Sequence, residues 1–132
     1  MVDVIVNYIK EKKSADEVVG QIEGFGAKAI AVQADISKES DVQKLIEASI
    51  KEFGRIDILV NNAGIYHPAP IDQMTEADFE KVMHLNLRRV FITTKYTAEV
   101  IKQQGRCGRI INITSIDSLL PSMIGLAHYD AS

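Results

Sequence analysis

The sequence is poorest in the residues that staple small folds or hold metals. It has one cysteine, no tryptophan and three prolines. A lone Cys107 cannot form an internal disulfide, which fits a reducing compartment, and no motif around it marks a nucleophile. His67, His84 and His128 stand apart from one another and from acidic clusters, so no metal site is expected. No apolar run reaches the ~18 residues of a membrane span. Met1-Val2-Asp3-Val4 lacks the basic flank and apolar core of a signal peptide, and the expected location is cytoplasmic. There is no basic excess: the formal net charge is -3, which argues against nucleic acid or an anionic membrane as the main partner. Neither a G-x-G-x-x-G nor a Walker pattern occurs.

What is present is an ordinary globular composition, 46% hydrophobic, in a length that suits one domain over residues 1–132. Residues 2–8 (VDVIVNY) read as a strand. Ser14-Ala15-Asp16-Glu17 is a capping-box pattern, followed at helical spacing by Val18, Val19, Ile22 and Phe25, with Gly24 and Gly26 closing the helix. Residues 27–34 form the next strand, ending at Asp35-Ile36. Ser37 or Ser40 is expected to cap a helix with the stripe Val42, Leu45, Ile46, Ser49, Ile50 and Phe53, stopped by Gly54.

The run Ile56-Asp57-Ile58-Leu59-Val60 alternates little, as in a strand covered on both faces of a parallel sheet. It ends in Asn61-Asn62-Ala63-Gly64, two carboxamides and then two residues without bulk, which reads as a ligand-facing strand end. Pro68 and Pro70 make residues 66–72 a loop. Thr75 should cap one long helix to about Gln104 through Phe79, Val82, Met83, Val90 and Phe91, ended by Gly105 and Gly108. Residues 109–114 are a strand finishing in Thr114-Ser115, and a loop containing Pro121 leads to Tyr129. Strand and helix alternate four times, the pattern of right-handed crossovers in an α/β fold with a parallel sheet and helices on both faces.

Three residues break their surroundings. Asn86 shares a helix face with Phe79, Val82 and Val90, where an apolar side chain is expected. Taken singly it reads as an Asn at a ragged stripe edge or one bonded to backbone, and Ser115 and Tyr129 read as local hydrogen-bonding residues. Together they project towards the side of Asn61–Gly64, as convergent site residues do.

Asn61-Asn62-Ala63-Gly64, Asn86, Ser115 and Tyr129, in that order and at those separations, resemble the short-chain dehydrogenase/reductase family. Asn7-Tyr8 and His128-Tyr129-Asp130-Ala131-Ser132 look like its glucose 1-dehydrogenase and 3-oxoacyl-carrier-protein reductase groups. The resemblance implies a partial Rossmann-type, doubly wound α/β/α sheet, running from the family's second strand to the residue before its catalytic lysine. It implies an NAD(P)-dependent oxidoreductase acting on a small carbonyl or alcohol. Tyr129 would be the general acid/base, Ser115 would hold the substrate oxygen and Asn86 would anchor a relay water. Asn61, Ala63 and Gly64 would lie beside the cofactor with Asn62 bracing the sheet, and Asp35 and Ile36 would contact adenine. Asn7 and Tyr8 stand where an acid would select NAD, and Lys10, Lys12 and Lys13 follow, so NADP is favoured over NAD. In the family, homodimers or homotetramers form partly on the long helix.

The resemblance also implies departures. Arg88-Arg89 stands where the family has a small residue, and the first strand, its Gly-rich turn and the lysine after Ser132 have no counterpart. Without that strand, residues 2–8 and 56–60 would lie roughly 10 Å apart with unpaired backbone on both sides. The chain alone is therefore expected to be unstable or rearranged and inactive. The other reading, a non-catalytic nucleotide-binding or interaction remnant, keeps the scaffold without the chemistry.

Overall fold

Each apolar β-type run becomes a parallel strand, and each striped segment a helix on its face. The computed structural model describes residues 1–120 and 124–132. The order is β1 (Val4–Tyr8), α1 (Lys12–Gly24), β2 (Ala29–Gln33), α2 (Glu39–Phe53), β3 (Ile58–Asn61) and α3 (Glu76–Met83). A π-helical turn (His84–Arg88), α4 (Arg89–Gln103), β4 (Arg109–Asn112), a 3-10 turn (Ile116–Ser118) and α5 (Ala127–Asp130) complete it. Pro121, expected in the loop before α5, lies outside the described residues.

The sheet comes in two halves. β1 pairs in parallel with β2, Val4 opposite Ala29 through Tyr8 opposite Gln33, and β3 pairs in parallel with β4, Ile58 opposite Arg109 through Asn61 opposite Asn112. Among the described residues, β1 and β3 have no strand between them. The facing edges instead line a cleft of about 1030 Å³. Right-handed crossovers place α1 on one face and α2 and α4 on the other. The halves are joined on that second face, where Ile36, Val42 and Ile92 form a buried cluster under Leu45, Ile46 and Tyr96, between α2 and α4. Each fully buried Val or Ile contributes roughly 1.5–3 kcal/mol, so this helix seam carries the connection that a continuous sheet would otherwise make.

Several sequence expectations need correction. The run at 56–60 is not covered on both faces: Ile58 and Val60 are exposed, as are Ile110 and Ile111 of β4. α1 packs on β1 and β2, and α4 packs on β3. Ser14 does not cap α1, which begins two residues earlier at Lys12 with Glu11 as N-cap. Lys12 and Asp16, 2.6 Å apart at i,i+4, tie that first turn on the surface instead. Neither Ser37 nor Ser40 caps α2, whose N-cap is Lys38, because the Ser37 hydroxyl is taken by Asp35 at 2.7 Å. Thr75 does cap α3, in a reciprocal box with Asp78.

The largest difference lies in the long helix. The π-helical turn at His84–Arg88 inserts the equivalent of one residue, which rotates the following face by about 100°. Past it the buried positions are Arg89, Ile92, Thr93 and Thr97, while Phe91, expected on the apolar stripe, is exposed.

Candidate active site

The carboxyl end of β3 is held by side-chain amides. Asn61 is 9% exposed and makes three bonds: its Nδ2 donates to Asn112 Oδ1 (2.9 Å) on β4 and to Thr94 Oγ1 (3.2 Å), and its Oδ1 accepts from Thr93 Oγ1 (2.7 Å). The residue that braces the sheet is thus Asn61, and Asn62, expected in that role, is exposed one residue beyond the strand. Strand alternation explains the exchange: with Asn61 turned onto α4 and β4, Asn62 faces the other way. Gln104 does the same at the strand's beginning, its carboxamide bonding both the N–H and the C=O of Ile56 at 2.8 and 2.9 Å.

Asn86 occupies the middle of the π-helical turn. Its Oδ1 accepts from Ile65 N–H (2.8 Å) and its Nδ2 donates to Ile65 C=O (3.1 Å), so the loop after β3 is clamped onto the helix. The approach is close: a Cβ on Gly64 would lie 3.4 Å from Asn86 Oδ1. The second Nδ2 hydrogen reaches Ser132 Oγ (3.0 Å), which itself donates to Tyr129 C=O (2.8 Å). Asn86 therefore links the Asn62–Ile65 loop to the segment that carries Tyr129. The Tyr129 ring stands edge-on to Tyr66, centroids 5.3 Å apart and planes at 77°. Ser115 precedes the 3-10 turn that packs against α5, and its hydroxyl bonds Asp117 Oδ2 (3.0 Å) while accepting from Asp117 N–H (3.2 Å).

The two loops flanking this spot meet each other. Ala69 N–H donates to Gly125 C=O at 2.8 Å, and Gly125 has φ +92°. A Cβ there would sit 3.2 Å from the backbone of Ala69 and Pro70, so only glycine fits. Part of the segment 118–126 lies outside the described residues.

The cleft opens beside the other half of β3. Asn7, Ile36, Asn61, Asn62, Ala63 and Arg89 line its carboxyl-terminal end. Tyr8, Asp35 and Gly64 are not on that lining. Asn7 Nδ2 is committed to the carbonyls of Val32 (3.2 Å) and Ala34 (3.0 Å), fastening β1 to β2. Tyr8 C=O accepts from Ala34 N–H (3.0 Å) in the same tie. Asp35 accepts from the hydroxyl and N–H of Ser37, and Lys38 lies 3.7 Å away. The Ser37 hydroxyl holds the Asp35 carboxyl below the usual carboxylate range. Of the cations after β1, Lys12 is engaged by Asp16, and Lys13 is 4.0 Å from Glu17.

The model of the short chain dehydrogenase family matches residues 2–132. The chain belongs to the short-chain dehydrogenase family. The 3-oxoacyl-[acyl-carrier-protein] reductase of a Synechocystis species is 41% identical over 129 residues, 98% of this chain and 51% of that protein. A 7α-hydroxysteroid dehydrogenase, solved with NADH and 7-oxo glycochenodeoxycholic acid, is 34% identical with a TM-score of 0.88 over 98% of this chain and 49% of its own. A Burkholderia cenocepacia short chain dehydrogenase, solved with NADP, is 32% identical with a TM-score of 0.84 over 98% of this chain and 51% of its own. The fold is accordingly Rossmann-like α/β, and the chain spans about half the length of the curated relatives it matches, 48% and 51% of two of them.

Within this short-chain dehydrogenase chain, sequence reasoning missed Tyr66, Gln104, Asn112 and Ser132 as partners of the site. Their signal was absent, since each acts through a contact across the fold. The polar face of α4 was visible: Arg89, Thr93 and Thr97 recur every four residues, and all three line the cleft. His128 is 1% exposed with both ring nitrogens unpartnered. Among the described residues no group of His, Cys, Asp and Glu could hold a metal ion, and no helix is long and apolar enough to cross a membrane.

Proposed function

We propose that this chain carries the proton-transferring part of an NAD(P)-dependent oxidoreductase that interconverts a small carbonyl compound and its alcohol. The observation that supports this most is the π-helical turn, which puts Asn86 onto both Ile65 and Ser132 and so ties the Asn62–Ile65 loop to the Tyr129 segment. Tyr129 gives its proton to the carbonyl oxygen in reduction and takes it back in oxidation. An unassisted tyrosine, with a pKa of ~10, needs a neighbouring cation to act as a base at neutral pH. Ser115 holds the same oxygen by hydrogen bonding, for which its hydroxyl hydrogen turns away from the Asp117 carboxylate. Asn86 fixes the geometry of both loops, and its bonds to Ile65 and Ser132 leave one Oδ1 lone pair for a relay water.

The cleft residues fit a dinucleotide, because the cation Arg89, its Nε without a hydrogen-bond partner, stands at the strand ends. Asn61, Ala63 and Gly64 are its nicotinamide side, and Asn7, Tyr8, Asp35 and Ile36 its adenosine side. When bound, the nicotinamide cofactor supplies or accepts the hydride. NADP is favoured, since no acid stands at Asn7-Tyr8 and Lys10 is exposed beside them. The whole domain works as a homodimer or homotetramer in the cytoplasm, the exposed Leu87 and Phe91 offering an apolar helix face. A non-catalytic nucleotide-binding or interaction role on the same scaffold is the second reading.

A chimera tests both. Residues 1–132 replace the 41%-identical segment of the Synechocystis reductase. Carbonyl reduction is expected, and Tyr129→Phe should lower it about 10³-fold while cofactor affinity stays unchanged. Turnover that survives Tyr129→Phe removes the tyrosine from its role. A chimera that folds and binds cofactor yet never turns over selects the second reading.

A further inference from the structure

The loop after β3 is fastened at every second residue. Asn86 grips the N–H and C=O of Ile65 at 2.8 and 3.1 Å. His67 Nε2 lies 3.3 Å from Asp78 Oδ1, and Asp78 is itself set by the reciprocal box with Thr75. Ala69 N–H donates to Gly125 C=O at 2.8 Å. Ile65, His67 and Ala69 are half-buried, whereas Tyr66 and Pro68 between them are exposed. Pro68 and Pro70 add stiffness, since each fixes its own φ. Tyr66 is thus a side chain on a pinned backbone, and its ring stands edge-on to that of Tyr129.

Tyr129 needs such a neighbour. It sits in a helix of four residues, where Ser132 Oγ donates to its C=O and Asn86 Nδ2 in turn donates to that Oγ. Those bonds hold main chain and leave the ring to turn. An edge-on pair sets the electropositive rim of one ring against the electronegative face of the other, so it resists rotation of either. We propose that Tyr66 is the positioning residue of Tyr129: its ring, carried on the pinned loop, fixes the orientation of the phenol. The catalytic consequence rests on the reading of Tyr129 as the proton-transferring group; the ring contact stands on geometry alone.

The contact is tested in the 132-residue chain carrying isotope-labelled tyrosine. NOEs between the Tyr66 and Tyr129 rings are expected, as is displacement of the Tyr129 ring signals in Tyr66→Leu. Absence of those NOEs in the unaltered chain overturns the proposal, and this arm needs no variant to fold. The consequence is read in the chimera with the Synechocystis reductase. Tyr66→Leu, which keeps an apolar side chain and loses the ring, should lower kcat about threefold to tenfold, with KM and cofactor affinity within about twofold. Tyr66→Phe, which keeps the ring, should recover most of that loss. Unchanged kcat in Tyr66→Leu overturns the proposal, as does a rise in KM without a fall in kcat. Tyr66→Phe as slow as Tyr66→Leu overturns it too. If turnover survives Tyr129→Phe while the NOEs are present, the reading of Tyr129 fails and the ring contact stands.

Discussion

The two sides of β3 are built differently. Towards β4, Asn61 closes a four-residue network with Asn112, Thr93 and Thr94, and carboxamide clamps from Gln104 and Asn86 pin both ends of the segment. Towards β1 the same strand shows bare backbone to a cleft of about 1030 Å³ in which the Nε of buried Arg89 has no hydrogen-bond partner. Unmade hydrogen bonds are costly and exposed strand edges invite pairing. The contrast teaches that the loop joining Asn62–Ile65 to the Tyr129 segment is held by contacts within this chain, whereas the β1 side of β3 depends on what fills the cleft.

The largest expected effect is on turnover. The 132-residue chain alone should show no NADPH oxidation with carbonyl substrates and a broad, low-temperature unfolding transition; robust oxidation with a sharp transition would erase the contrast. Next come the amides on either side of it, compared in the chimera by urea unfolding. Asn61→Leu strands Asn112 and Thr94 and should cost about 2–3 kcal/mol, against about 1–2 kcal/mol for Asn7→Leu, whose partners are the carbonyls of half-buried Val32 and buried Ala34. Equal losses would mean that the β3–β4 side is not the better built one. Gly125→Ala forces a Cβ into backbone at positive φ and should cost about 1–2 kcal/mol, freeing the loop before α3 as read by Tyr66 fluorescence. The smallest effect is at the α3 cap. Thr75→Ala should cost about 1 kcal/mol at neutral pH. The Thr75 hydroxyl holds the Asp78 carboxyl below its usual range, so this contribution is full above the unfolded carboxylate value and lost as pH falls through the lower folded one. A Thr75→Ala penalty that grows on acidification would contradict the assignment.

Much of this was legible in the sequence, for physical reasons that can be named. Strand and helix positions followed from apolar period, Gly54 and Gly105 with φ of +74° and +65° end α2 and α4, and the gap beside β3 followed from the resemblance. Asn86 was noticed because it broke an apolar stripe. Its reason was hidden, since a π-helical turn leaves no mark in residue spacing and shows only as the later rotation that exposes Phe91 and buries Arg89. The exchange of roles between Asn61 and Asn62 was equally hidden, because a one-residue choice of strand face depends on partners about 30 to 50 residues away.

Amide hydrogen exchange of the 132-residue chain tests the contrast most directly. Val4 N–H bonds back to Lys28 C=O and Asn61 C=O accepts from Ile113 N–H. By alternation, Val6 and Leu59 amides face their paired neighbours, while those of Ile5, Asn7, Ile58 and Val60 face the cleft. The account predicts that Leu59 exchanges at least about a hundredfold more slowly than Ile58 and Val60, and Val6 more slowly than Ile5 and Asn7. Equal protection on both sides of β3 would show that the cleft is closed in solution and contradict it.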